Sequence, residues 1–212
     1  MSTMPERHYH RKLPHFQPAE ATFFVTFRLA GSIPVETIRR LRENYELVEK
    51  GILTRQDLTD RERRELIYGE QKRLFAATDE SLDHNPNEPY WLREKEVAEM
   101  VSNELKMHDG QWYVLWSYCV MPNHVHLLFT LLKNAPVLTK ILQNIKGYSA
   151  QKANRLLGLS GQFWERESYD HVVRKDGEFE RIMYYILQNP VKAHLAKEWT
   201  DWPFTYLHPD FV

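Results

Sequence analysis

The chain has 212 residues, 42% of them hydrophobic and 13% aromatic, with 28 Lys and Arg against 29 Asp and Glu for a formal net charge of −1. This length and apolar content supply one domain with a sizeable core, or a compact domain carrying an insertion, and exclude a disordered or low-complexity chain. The near-neutral balance argues against a uniformly basic nucleic-acid binder, and the single cysteine, Cys119, excludes an intrachain disulfide.

The charge is unevenly placed. Residues 1–132 carry 17 Lys and Arg against 20 Asp and Glu, residues 133–197 carry 11 against 6, and the tail from Glu198 adds three acids. A basic excess therefore begins just past residue 132, where a bound polyanion would call for it. Met1–His15 is polar and lacks the apolar stretch of a signal peptide, and no later stretch is long and uncharged enough to cross a bilayer. A cytoplasmic chain with no membrane partner is expected.

The elements follow from periodicity and punctuation. Thr22, Phe23, Phe24, Val25, Thr26 and Phe27 make residues 21–29 a strand closed by Gly31 and Pro34. Val35, Ile38, Leu41, Tyr45 and Val48 recur at helical spacing, which predicts a helix from Val35 to about Lys50 ended by Gly51. Asp60 is expected to cap a second, charge-rich surface helix from Arg61 to about Ala77. Prolines, asparagines and acids make Asp79–Pro89 a loop. A third helix, about Arg93 to Met107, places Val97, Val101 and Leu105 on one face, and Asp109-Gly110 turns the chain into a strand over Trp112–Val120. Met121-Pro122-Asn123 then joins this strand to a second apolar strand in a hairpin. Beyond Pro136, Leu138, Ile141, Leu142, Ile145 and Ala153 give an amphipathic helix stopped at Gly158–Gly161, and a short extended piece covers 162–174. Asp176 is expected to cap a last long helix from Glu178 to Gln188, broken or bent at Asn189-Pro190.

Without the helical pair at 34–78, the order is strand, helix, strand, strand, helix, short strand, helix. That order is close to an α+β, ferredoxin-like (split β-α-β) sandwich, a mainly antiparallel sheet with helices on one face. The expected organisation is one domain over 1–212, with a helical insertion at about 34–89 and a C-terminal tail at about 199–212.

Two histidines, His124 and His126, stand one residue apart in the second hairpin strand. Side chains two apart on a strand share a face at roughly 6–7 Å, so both imidazoles can reach one ion. Taken alone, such a pair is more simply two half-buried histidines packed beside their neighbours. In the last helix Phe179, Ile182, Met183 and Ile186 make the core stripe, and about 100° per residue puts Tyr185 on its flank, Asn189 one turn on and Tyr184 well away. If this helix packs beside the histidine strand, two imidazoles, an amide and a phenol meet.

Several runs in order carry a specific resemblance: Met121 to Leu128 with its His-hydrophobe-His core, Phe163 to Arg166, Tyr169 to Arg174, Tyr185 to Ala193, and Trp202-Pro203-Phe204. The chain resembles the REP-associated tyrosine transposases, relatives of the small single-tyrosine insertion-sequence transposases within the HUH single-strand DNA endonucleases. The resemblance covers the strand at 21–30 and most of 90–206, and leaves the helical pair at 34–78 unassigned. It implies His124, His126 and Asn189 as ligands of a divalent ion, Mg²⁺ or Mn²⁺, and Tyr185 as the nucleophile. It also implies single-stranded or hairpin DNA as partner, a covalent 5′-phosphotyrosine with a free 3′-hydroxyl, and strand transfer by reversal of the attack. The insertion-sequence relatives act as dimers with the tyrosine in trans and the REP-associated ones need not, so a homodimer stays open.

Lys146, Lys152, Arg155, Arg166, Arg174 and Lys192 account for the local basic excess and are the expected phosphate contacts. Phe163 and Trp164 are read as base-stacking or core side chains, and Tyr148, Tyr169 and Tyr184 as competing but weaker nucleophiles. Two other readings remain at this point, a hairpin-binding protein that no longer cuts and a metal-dependent hydrolase in which the tyrosine is a bystander.

Overall fold

The computed structural model describes residues 7–10, 14–17, 20–83 and 89–211. The chain divides into two compact units, one of residues 1–30 with 90–212 and one of residues 31–89. In chain order the elements are β1 (Arg7–His10), β2 (Pro14–Gln17), β3 (Thr22–Arg28), α1 (Val35–Thr54), α2 (Asp60–Asp83), α3 (Lys95–Met107), β4 (Tyr113–Val120), β5 (His124–Leu131), α4 (Leu138–Leu157), β6 (Tyr169–Val172), α5 (Glu178–Lys192) and β7 (Thr205–Leu207). Among the described residues no helix is long and apolar enough to cross a membrane.

In the larger unit β1 and β2 pair with each other, in a stretch where composition signals no strand. The main sheet runs β6-β3-β5-β4-β7, and every neighbouring pair is antiparallel. β3-α3-β4 leaves a slot that β5 fills, and β5-α4-β6 leaves a slot that β3 fills. Two interlocked split β-α-β units of this kind are the ferredoxin-like sandwich, the expected α+β class.

The alternation of β5 decides what each face of the sheet does. Val125, Leu127, Phe129 and Leu131 point to one face and pack with Val97, Val101 and Leu105 of α3 and Ile141, Ile145 and Ala153 of α4 in the main core. Burying each larger aliphatic or aromatic side chain here contributes about 1.5–3 kcal/mol. His124, His126 and Leu128 point to the other face, which α5 covers. So α3 and α4 take the expected single face, and α5 takes the second.

β4 keeps its place in the core through a bulge. Leu115 pairs with Phe129 but Ser117 pairs with Leu128, so Trp116 is the extra residue. Odd-numbered Tyr113 and Leu115 face the core before the bulge, and even-numbered Tyr118 and Val120 face it afterwards. The tail adds the edge strand β7, and Trp202 Nε1 donates to the Val120 carbonyl at 3.0 Å.

Several element ends differ from the expected ones. α1 passes through Gly51 to Thr54, because a glycine at ordinary helical φ weakens a helix without stopping it. α2 starts at Asp60 and is capped by Thr59: the Glu62 carboxylate accepts from the Thr59 N–H at 2.8 Å, while the Glu62 N–H donates to Thr59 Oγ1 at 3.3 Å. α2 also continues to Asp83 through half of the expected loop, whose residues 84–88 lie outside the described residues. α4 ends at Gly158, whose φ of 64° is the left-handed cap expected there. Asp176 does not cap α5, which begins after Gly177. Pro190 does not break α5, because it only withholds one N–H from the Ile186 carbonyl and the helix is one turn from its end at Lys192.

Candidate active site

Register builds the site on the second face of the sheet. Thr26 of β3 lies opposite His126 and Arg28 lies opposite His124, so β3 sends Phe24, Thr26 and Arg28 to the imidazole side. Thr26 Oγ1 is 2.7 Å from His126 Nδ1, and Phe24 stacks on the His126 ring at 5.8 Å. Asn123, in the hairpin turn, sets Oδ1 2.7 Å from His124 Nδ1. With that carboxamide oxygen as acceptor, His124 carries its proton on Nδ1 and turns a lone pair outward on Nε2. The two Nε2 atoms converge to 3.0 Å, and both imidazoles are essentially fully buried.

α5 brings the remaining groups. Asn189 Nδ2 lies 3.1 Å from His126 Nε2, and Asn189 is 1% exposed. Tyr185, one turn earlier, packs edge-on against His126 with ring centroids 5.3 Å apart and against Phe24 at 6.0 Å. Tyr184 is 66% exposed, on the side that the helical phase assigns it. One chain thus places Tyr185 and Asn189 beside both imidazoles.

The donor set can be tested against an ion. Asn189 Oδ1 is buried without a hydrogen-bond partner among the described residues. A buried acceptor in that state costs about 1–3 kcal/mol. Two imidazole nitrogens 3.0 Å apart, with the Asn189 carboxamide set beside one of them through Nδ2, fit a divalent cation that would take up the carboxamide oxygen once the amide turns it inward. Cys119 pairs with His126 in register on this face, where burial pushes its thiol up to about 12 and its Sγ lies 3.5 Å from both Met121 Sδ and Thr205 Oγ1.

A clasp anchors the start of α5. Glu178 and His171 of β6 are both buried, with Glu178 Oε1 3.2 Å from His171 Nε2. Glu178 Oε2 accepts from the Arg174 and Lys175 N–H groups at 3.0 and 3.3 Å. One carboxylate therefore ties the edge strand, the 173–177 turn and the tyrosine helix together.

The expected phosphate contacts scatter. Lys152 lies over the Tyr148 ring at 4.3 Å and Arg155 is exposed in the last turn of α4, so both belong to the layer opposite the imidazoles. Lys146, also on α4, donates to the Arg166 carbonyl and to Ser168 Oγ, each at 3.0 Å. Arg166 is exposed beside Glu165, which pairs with Arg28 at 3.4 Å. Arg174 sits in the turn before α5, and Lys192 is exposed two turns beyond Tyr185 on the same stripe. Phe163 and Trp164 are both core residues, with Trp164 Nε1 donating to Ser149 Oγ at 2.9 Å. Tyr169 packs edge-on against Phe24, and Tyr148 is 40% exposed on α4. Thr26, Asn123 and Arg28 are the site neighbours that sequence reasoning missed. The period-two alternation of Thr22, Phe23, Phe24, Val25, Thr26, Phe27 and Arg28 could have put Thr26 and Arg28 on one face.

Comparison with known proteins agrees with this architecture. Residues 92–189 match the family described as transposase, IS200 like. A REP-associated tyrosine transposase of Haemophilus influenzae is 29% identical over 101 residues, 43% of this chain and 57% of that protein. Its counterpart in Escherichia coli K12 is 28% identical over 106 residues, 50% of this chain and 61% of that protein. The matched stretches thus span about three fifths of the length of these curated relatives. A REP-associated tyrosine transposase solved bound to a REP hairpin shares the fold, with a TM-score of 0.55 at 16% identity over 95% of this chain and 86% of that one. Residues 92–189, just under half of the chain, are thus similar to the IS200-like transposases, and the chain resembles the REP-associated tyrosine transposases.

Proposed function

We propose that this chain, whose residues 92–189 match the IS200-like transposase family, is a metal-dependent HUH endonuclease and transposase that nicks single-stranded DNA and transfers the strand, acting beside REP-type hairpins in the cytoplasm. The observation that carries the reading is the meeting of Tyr185 and Asn189 with His124 and His126 across a sheet–helix junction within one chain. A protein that only holds DNA has no need of a buried carboxamide beside two converging imidazoles, with its oxygen unsatisfied among the described residues.

His124, His126 and Asn189 would hold the ion, Mg²⁺ or Mn²⁺, the latter being the more tolerant of nitrogen ligands. When bound, it supplies positive charge that polarises the scissile phosphate and offsets charge in the pentacoordinate transition state. Thr26 and Asn123 orient the two rings. Tyr185 presents the phenol, whose oxygen attacks phosphorus in line, forming the Tyr185–phosphate bond and breaking the bond to the 3′-oxygen. An ordinary phenol is protonated near neutral pH, so its proton must leave to solvent or a base as the bond forms. The 3′-hydroxyl departs with a proton, and the phosphodiester energy stays in the 5′-phosphotyrosine. Attack by another 3′-hydroxyl reverses the step and joins strands without ATP. Because one chain supplies both the ligands and the tyrosine, action in cis is the simplest arrangement, and a homodimer is not required for it.

The test is covalent capture. A labelled oligonucleotide carrying a hairpin and unpaired flanks, incubated with Mn²⁺, is expected to give an SDS-stable adduct that Tyr185→Phe abolishes and Tyr184→Phe retains. An adduct undiminished in Tyr185→Phe removes the assignment. Hairpin binding without any cleavage in Mn²⁺ would instead identify a DNA-holding protein.

A further inference from the structure

The end of α3 sets a carboxylate and an imidazole together in the layer opposite the active site, and none of the chemistry above uses them. Glu104 Oε1 lies 3.7 Å from His108 Nε2, and Glu104 is 3% exposed, with its Oε2 lacking a hydrogen-bond partner among the described residues. We propose that Glu104 and His108 hold a second divalent ion, of the zinc class, with water completing its coordination. The site is independent of the DNA reading above.

The backbone makes the pair. Residues four apart on a helix share a face, so Glu104 and His108, the residue that caps α3, stand one above the other. The His108 carbonyl accepts from the Gln111 and Trp112 N–H groups at 3.2 and 3.0 Å, which closes the turn after the helix. That turn lays the imidazole flat on the Trp112 indole, with centroids 3.6 Å apart and 10° between the planes. The stack fixes the plane of the ring while Nε2 faces the carboxylate.

The separation suits an ion better than a hydrogen bond. At 3.7 Å the oxygen and nitrogen are beyond hydrogen-bond reach. Two metal–ligand bonds of about 2.0–2.2 Å meeting at about 110–120° hold their donor atoms about 3.3–3.8 Å apart. The carboxylate keeps a second oxygen, Oε2, for the ion or for a water bound to it.

Charge and protonation agree with this. Burial holds His108 below its ordinary range, so the ring is neutral near pH 7 and has a lone pair to give to a metal. A buried carboxylate is costly without a cation. Lys152 of α4 pulls on Glu104, but its ammonium rests over the Tyr148 ring at 4.3 Å and makes no ion pair with that carboxylate among the described residues. Asp109, whose Oδ1 accepts from the Leu115 N–H at 2.8 Å, adds negative charge to the same turn. One imidazole nitrogen beside a carboxylate oxygen favours Zn²⁺, Co²⁺ or Ni²⁺ over Mg²⁺.

The test reads this site apart from the active site. Co²⁺, a paramagnetic stand-in for zinc, is titrated into the isotope-labelled full-length protein near neutral pH, and the indole N–H signals are followed by NMR. The Trp112 signal, assigned with Trp112→Phe, is expected to shift and broaden in the parent and to stay unchanged at the same Co²⁺ concentration in Glu104→Gln and in His108→Gln. Equilibrium dialysis against Zn²⁺ is expected to count one ion fewer per chain in each variant, and no fewer in the double variant than in either single one, because both residues serve one ion. Glu104→Gln keeps the side-chain volume and, free of metal, is expected to melt no lower than the parent, so a lost ion in it is not a lost fold. A Trp112 signal that responds equally in Glu104→Gln, or a zinc count unchanged in both variants, overturns the site.

Discussion

Thr26 and Asn123 set the direction in which the two imidazoles point. Thr26→Val keeps the shape of the side chain and removes the Oγ1 that lies 2.7 Å from His126 Nδ1. Loss of such a partner lowers metal affinity by about 10–100-fold. We expect a Mn²⁺ titration to show that loss with the melting transition nearly unchanged, and an unaltered affinity would mean that the hydroxyl does not orient the ring. The juxtaposition of His124 with His126, and the flank position of Tyr185 and Asn189, were legible in the sequence because a period of two and a period of 3.6 fix direction without knowledge of the fold. Thr26 was not, since it meets His126 across 100 residues through a register that local pattern does not specify. By the same limit the sequence did not show that Lys152 and Arg155 stand in the layer opposite the imidazoles, because a count of charge does not say which face of a sheet a helix will cover.

α5 is held at its first turn by Glu178, and this is where the element is most exposed to damage. Glu178→Ala removes the buried carboxylate beside His171 and strips an acceptor from the Arg174 and Lys175 N–H groups. Removing one member of a buried pair costs about 3 kcal/mol or more, which urea unfolding would read directly. A loss below about 1 kcal/mol would place the clasp among ordinary surface contacts. The sequence showed that this helix exists and which side it buries, through Ile182, Met183 and Ile186. Its start at Glu178 was legible too, but its cap was misread because Asp176 has the chemistry of a cap, whereas Gly177, at φ 66°, takes the cap position. Gly51 was read as a stop and Pro190 as a break or bend, but both helices run on through them, since a single unfavourable residue yields to packing over a long helix. The slip at Trp116 was invisible for a related reason: apolar residues fill both phases of β4, so the alternation does not reveal where one is skipped.

At the scale of the whole molecule, the layer that α3 and α4 form under the sheet carries a charge at odds with its setting. Burial raises the Glu104 carboxyl above its ordinary range, against an opposing pull from Lys152, and its Oε2 has no hydrogen-bond partner among the described residues. A folded pKa above the unfolded one means stability is fully present below the unfolded value, about 4.3, and is lost as pH rises through the folded one. Glu104→Gln removes the charge and keeps the volume. Its melting temperature should exceed that of the parent near about pH 8, and the gap should close toward about pH 4, where both side chains are neutral. A gap that widened on acidification would reverse the sign and refute the assignment. The fold class itself was legible from the order of elements, while β7 was not, since three residues beside an existing edge have too little pattern to announce a strand. The same interlocking order has a temporal consequence. His126 draws its neighbours from Thr26 on one side and Asn189 on the other, so a chain emerging from the ribosome holds its imidazoles long before the phenol arrives. On the proposed function, a product cut short before α5 lacks both the phenol and the carboxamide and does not cut DNA.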